Sequence, residues 1–197
     1  MASCCSRRAR AALRRIEQGE GGERALQDWL DRSRLAYLFL DQTPLTIPAA
    51  HRANVKRPDF LVAVDNLGTI AVDAKVKAFV DGHFVLDVSE RGRLDGFESV
   101  FAIPVWYACF PPTEAGMSYL FRNRDLMGRT VTHDPDKGII RAPLALGCAV
   151  AHASISFARA LLCAADGAPP AQADRQASAV GHATETQSRP ARTRLAE

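Results

Sequence analysis

Two aspartates and a lysine, Asp59, Asp73 and Lys75, are spaced so that a β-sheet can bring them together. Carboxylate oxygens are hard ligands that suit Mg²⁺, which often binds one or two carboxylates and keeps several waters. A metal bound in this way acidifies a water and neutralises charge on a phosphate, and a lysine ammonium can orient the attacking water. These residue types are therefore suited to metal-assisted attack of water on a phosphate group.

The positions of these residues predict a β-hairpin. Two β-prone runs, Phe60 to Asp65 and Thr69 to Phe79, are joined by Asn66-Leu67-Gly68. Because side chains alternate along a strand, Asp73 shares a face with Lys75 and Lys77. Ala74 points to the other face, which leaves its backbone carbonyl available as a ligand.

The length of the turn decides whether Asp59 joins that face. A three-residue loop over 66–68 sets Leu61 opposite Asp73 and Asp59 opposite Lys75. Directly opposed Cβ atoms then lie about 5 Å apart. A two-residue loop sends Asp59 to the opposite face, so the turn is a structural test of the site.

The elements around the hairpin follow from helical spacing, β-prone runs and turn residues. Upstream we expect a helix over about Glu20 to Arg34, a strand over Tyr37 to Leu40 and a long loop over Pro44 to Arg57. Downstream we expect a sheet extension over His83 to Val88, a helix over Glu90 to Phe101, a buried strand over Pro104 to Phe110, a strand over Ser118 to Arg122, a hairpin of 130–133 with 138–141, and a helix over Ala149 to Ala165.

Pro58-Asp59, a gap of 13 residues and then Asp73-Ala74-Lys75 resemble the signature of the PD-(D/E)XK nucleases. The order αβββαβ between about Glu20 and Phe110 resembles the core of the restriction-endonuclease-like and Holliday-junction-resolvase-like members. The resemblance implies an α/β fold with a mixed central sheet flanked by helices. It also implies an endonuclease that hydrolyses nucleic acid with Mg²⁺ or Mn²⁺.

The same resemblance assigns roles to single residues. Asp59, Asp73 and the Ala74 carbonyl would hold the metal, and Lys75 would be the catalytic lysine. Family members often add an acid from the first helix, for which Glu23 is the candidate. DNA is the favoured partner, although no residue distinguishes it from RNA. A homodimer through the 104–110 strand or the 149–165 helix is a further expectation.

Each candidate also has a purely structural interpretation. Asp59 could cap a turn after Pro58, Asp73 and Lys75 could belong to a solvated strand face, and Glu23 could be favoured by the helix dipole. The basic residues Lys56, Arg57 and Arg52 could hold phosphates or simply be solvated. On the second helix Glu90, Arg91 and Arg93 are available, without an assigned role. The alternative function is a nucleic-acid-binding or partner-binding module that keeps the fold without turnover.

Bulk composition limits the remaining choices. The chain has 197 residues, 47% of them hydrophobic, and a net charge of +3, which favours one domain over 19–165 and excludes a global polyanion binder. Five cysteines without CxxC spacing indicate a reducing, cytoplasmic setting. No apolar run is long enough for a membrane span. Residues 1–18 predict a basic N-terminal arm or helix, with a transit peptide as the alternative, and 166–197 predict a disordered tail.

Overall fold

The computed structural model describes residues 20–41, 43, 47–128 and 130–166. The predicted basic arm over 1–18 lies outside these residues, and so does the predicted tail except for residue 166. The elements run in the order α1 (20–32), β1 (Tyr37–Phe39), β2 (Phe60–Val64), β3 (Gly68–Lys75), β4 (His83–Asp87), α2 (Val88–Phe101), β5 (Val105–Cys109), β6 (Met117–Arg122), β7 (Thr132–Asp134), β8 (Ile139–Pro143), β9 (Cys148–Ala151) and α3 (Phe157–Asp166). Short 3-10 helices lie at Ala49–His51, Asn123–Met127 and Leu144–Leu146.

Six strands form a mixed sheet in the order β1-β2-β3-β5-β6-β9. Strands β3 and β5 are parallel, and every other neighbouring pair in this sheet is antiparallel. A parallel pair needs a long connection, and here that connection carries β4 and α2. The expected mixed sheet flanked by helices is confirmed, with β3 in its interior.

Both faces of the large sheet are covered. On one face α1 and α3 pack Leu26, Trp29 and Phe157 against Val72 and Trp106. On the other face α2 and the small sheet β4-β8-β7 contribute a second core, whose largest members include Phe84, Leu94, Phe97, Tyr107 and Phe121. None of the described helices is long and apolar enough to cross a membrane.

Helix α2 begins at a polar cap. The Asp87 carboxylate accepts hydrogen bonds from the backbone N–H groups of Ser89, at 2.8 Å, and Glu90, at 3.0 Å. Such a cap satisfies helix donors that have no partner within the helix. The helix therefore starts at Val88, two residues before the predicted start, which places Glu90 in its first turn. It ends at Phe101, and Ala102 caps it in the left-handed conformation, with a φ of 54°.

Three expectations are wrong. Strand β4 does not extend the large sheet, because a turn with positive φ at Asp81 and Gly82 carries the chain into pairing with β8. The helix predicted over 149–165 is instead β9, which fills the sheet edge beside β6, followed by α3. The 104–110 strand cannot form a dimer interface, because β5 is wholly buried between β3 and β6.

Candidate functional site

The hairpin of β2 and β3 has the three-residue turn on which the site depends. Val64 pairs with Gly68, so the turn consists of residues 65–67 and begins one residue earlier than predicted. Asn66 and Gly68 take up the positive φ values, 65° and 82°, that let so short a turn close.

This turn changes the partners across the hairpin but not the faces. Leu61 pairs with Ala71 rather than with Asp73. Continuing the same register sets Asp59 across from Asp73 rather than from Lys75. The shift is an even number of residues, so every side chain keeps its predicted face. Asp59 and Asp73 are therefore direct cross-strand neighbours on the face that α2 covers.

Asp73 lies in the middle of the sheet with its side chain fully buried. Two lysine ammonium groups neutralise it. Lys56 Nζ lies 2.7 Å from Asp73 Oδ1, and Lys75 Nζ forms an ion pair with Oδ2. A solvated strand face is excluded for this pair, because only 12% of the Lys75 side chain is exposed.

Asp59 opens β2 beside Asp73 and is nearly as buried. Its Oδ2 accepts a 2.7 Å hydrogen bond from the Ala74 N–H. Burial raises the pKa of Asp59 to about 7, and the negative charge of Asp73 adds to that increase. The opposing effects of Lys75, Lys56 and the Ala74 N–H are smaller. The two carboxylates thus repel each other in a place that water reaches poorly.

Two further charged residues complete the cluster: Lys56, expected to hold phosphate or be solvated, and Glu90, to which the sequence assigned no role. Lys56, at the end of the loop before β2, and Glu90, in the first turn of α2, lie 2.7 Å apart, Nζ to Oε1. The same Glu90 oxygen lies 3.0 Å from Lys75 Nζ. The cap at Asp87 was the available signal for Glu90, since it fixes where the helix starts. The only sequence signal for Lys56 was that it lies three positions before Asp59.

The charges in this cluster adjust one another. Burial alone would lower the pKa of Lys75, but Asp73 and Glu90 outweigh it and raise that pKa above its ordinary value. Burial alone would raise the pKa of Glu90, but Lys75 and Lys56 lower it to about 2. Lys75 is therefore a cationic hydrogen-bond donor at neutral pH and not a base.

Other predicted site residues lie at the margin. Glu23 makes none of the ion pairs or hydrogen bonds found among the described residues, although burial and then the charge of Asp73 raise its pKa. Arg52 and Arg57 donate to the backbone carbonyls of Ile47, at 2.9 Å, and Thr43, at 2.6 Å. Lys77 turns toward the Val85 carbonyl. The structure brings together Asp59, Asp73 and Lys75 and leaves these residues outside the cluster.

The donors at the cluster fit a hard divalent cation. Asp59 and Asp73 supply carboxylate oxygens, and their mutual repulsion is what a cation between them would relieve. Strand alternation directs the carbonyl of Ala74 toward β2, beyond the last ladder pair, Phe60 with Val72. Within the described part of the chain no group of three histidine, cysteine or acidic side chains is arranged to hold a metal. The protein ligands would therefore be two carboxylates and a backbone carbonyl.

No family model matches this chain, and no curated protein matches it. Among solved structures it is similar to Hjc from the archaeal hyperthermophile Archaeoglobus fulgidus, which is described as a Holliday junction resolvase. The two chains are 16% identical, with 70% of this chain and 100% of that chain covered and a TM-score of 0.49. A likeness of this size says nothing about activity, which has to follow from the residues of the site.

Proposed function

We propose that this protein is a divalent-metal-dependent nuclease that hydrolyses phosphodiester bonds of nucleic acid. The observation that carries the proposal is the buried pair of Asp59 and Asp73 on neighbouring strands, with Lys75 on the same face. Two carboxylates buried side by side are costly to keep charged, so their presence in a core calls for a function.

The roles of the side chains follow from their charges. Asp59, Asp73 and the Ala74 carbonyl would hold Mg²⁺ or Mn²⁺. The chemistry that such a cation supplies when bound is acidification of a water molecule and neutralisation of charge developing on the phosphate. Lys75 keeps its proton and donates hydrogen bonds, so it orients the attacking water and stabilises negative charge. Glu23 is the candidate for an additional contact to metal-bound solvent.

The loop from Ile47 to Pro58 lies beside this cluster and supplies Lys56. The Lys56 ammonium puts a positive charge beside the carboxylates, and a cationic side chain at this place suits a phosphate backbone. Nucleic acid is therefore the proposed substrate, and DNA is the first form to test. A homodimer that engages both strands stays a prediction.

A second candidate function has an observation in its favour. The Lys56 and Lys75 ammonium groups balance the carboxylates of Asp73 and Glu90, so the cluster is neutral without a metal whenever Asp59 is protonated. A binding module that retains this cluster as an internal ion-pair network would need no turnover. Such a protein would bind nucleic acid equally well in Mg²⁺ and in EDTA.

The test is a cleavage assay on single-stranded, duplex and branched DNA and on RNA, each with Mg²⁺, Mn²⁺ or EDTA. The nuclease proposal predicts metal-dependent cleavage that Asp73→Asn abolishes. Binding of these substrates without any cleavage, or cleavage that continues in EDTA, would contradict it.

A further inference from the structure

Lys56 holds the position of a cation on the carboxylate pair. Its ammonium lies 2.7 Å from Asp73 Oδ1 and 2.7 Å from Glu90 Oε1, so it bridges the centre of the sheet and the start of α2. Only 21% of its side chain is exposed. A lysine that was merely a solvated residue of the loop would keep its ammonium in water rather than between two carboxylates.

A divalent cation bound at Asp73 Oδ1 would lie close to this ammonium. Two positive centres on the same buried oxygen would repel strongly, because little water screens them. Glu90 offers an alternative partner, since it already accepts from Lys56 at the same distance. Lys75 does not need to leave, because it pairs with the other oxygen of Asp73.

We propose that Lys56 is a resident counter-cation that competes with the metal for Asp73, so that metal binding releases Lys56 from Asp73 and leaves it on Glu90. This inference rests on the proposed function, because it presumes a metal at Asp59 and Asp73. Lys56 offsets part of the negative charge at Asp73 while the metal is absent and sets the metal concentration at which the site fills. Once released from Asp73, the Lys56 ammonium remains beside the site on Glu90.

The test is calorimetric titration of Mn²⁺ into full-length protein without nucleic acid. Lys56→Met removes the competing charge, and we expect Mn²⁺ to bind about tenfold more tightly, the factor expected for one lost charge-assisted hydrogen bond. Lys137→Met is the matched control, since Lys137 is an exposed lysine paired with Asp134 in the turn between β7 and β8 and makes no ion pair with the cluster. It should bind Mn²⁺ as the wild type does.

Whether Lys56→Met strengthens or weakens Mn²⁺ binding distinguishes competition with the metal from a purely structural role of Lys56. If Lys56 only ties its loop to α2, Lys56→Met loosens the site and Mn²⁺ binds more weakly or unchanged, which overturns the inference. Asp73→Asn should abolish Mn²⁺ binding. Binding that Asp73→Asn abolishes but Lys56→Met does not strengthen leaves the proposed metal site intact. Absence of Mn²⁺ binding in every variant overturns both proposals.

A second measurement avoids any dependence on the folding of the variant. The chain has four lysines, so wild-type protein labelled with ¹³Cε-lysine gives four signals that can be assigned by substitution. We expect Mg²⁺ to move the Lys56 signal while the Lys137 signal stays in place. A Lys56 signal that does not move while Mg²⁺ saturates the site would overturn the inference.

Discussion

Replacing Asp59 by Asn should stabilise the metal-free protein, and more so as the pH rises. Burial, and then repulsion by Asp73, raises the pKa of Asp59 from its ordinary 3.8 to about 7. A carboxyl group whose pKa is raised on folding holds its proton more tightly in the folded chain. Its contribution to stability is therefore complete below about pH 3.8 and is lost as the pH rises through about 7.

The size of the stability difference follows from the interval between the ordinary pKa of 3.8 and the raised pKa of about 7. Each pH unit between 3.8 and about 7 is worth about 1.4 kcal/mol, so the ionised carboxyl costs the folded state up to about 4 kcal/mol. Asparagine carries no charge and keeps an oxygen that can accept the hydrogen bond from the Ala74 N–H. We expect the free energy of unfolding of Asp59→Asn to be about 2 to 4 kcal/mol larger than that of the wild type at about pH 8 and equal to it near pH 4.

The measurement is the free energy of unfolding from urea titrations followed by circular dichroism, in EDTA, at several pH values between about 4 and 8. Mg²⁺ at high pH should then reduce or reverse this difference in free energy of unfolding, since only the wild type has both carboxylates for the metal. A gap that does not change with pH, or an Asp59→Asn protein less stable than the wild type at pH 8, would refute the assignment of a strained carboxylate pair.

Further predictions concern α2 and the first helix. A Cβ added at Gly96 would lie 2.0 Å from the Asn54 carbonyl oxygen, whereas Gly92 on the same helix has nothing within 4 Å. Gly96→Ala should therefore cost about 1 to 3 kcal/mol, and Gly92→Ala should gain about 1 kcal/mol, in calorimetric unfolding. Glu23→Gln should lower the cleavage rate by less than about tenfold, since Glu23 makes no described ion pair. A loss of cleavage as complete as that expected of Asp73→Asn would show that Glu23 is essential and would contradict this prediction.

The hairpin and its surroundings could be predicted because their signals are local. Alternating apolar residues, the glycine-containing turn and the proline before Asp59 define β2 and β3 within a few residues. The turn began one residue early because two three-residue loops, 65–67 and 66–68, both place Gly68 at or beside the close of the turn. The two loops give registers that differ by an even number of residues, so each side chain lies on its predicted face despite the error in the turn.

The contributions of Lys56 and Glu90 to the cluster could not be predicted because they depend on tertiary packing. Lys56 and Glu90 are 34 positions apart, and only the docking of α2 on the loop before β2 brings them together. The backbone bond from the Lys56 N–H to the Arg93 carbonyl, 2.9 Å long, is part of that docking. Strand β9 was missed for another reason, since a short apolar run with several alanines suits a helix and a buried strand alike.

Lys75 gives the most direct test of the central claim. Single-turnover cleavage of labelled nucleic acid in Mg²⁺ should be lost in Lys75→Met and retained in Lys137→Met, with both proteins folded by circular dichroism. The loss is expected because Lys75 is the buried cation on Asp73 that keeps its proton, and the proposed function assigns it the orientation of the attacking water. Cleavage by folded Lys75→Met at the wild-type rate would contradict the account.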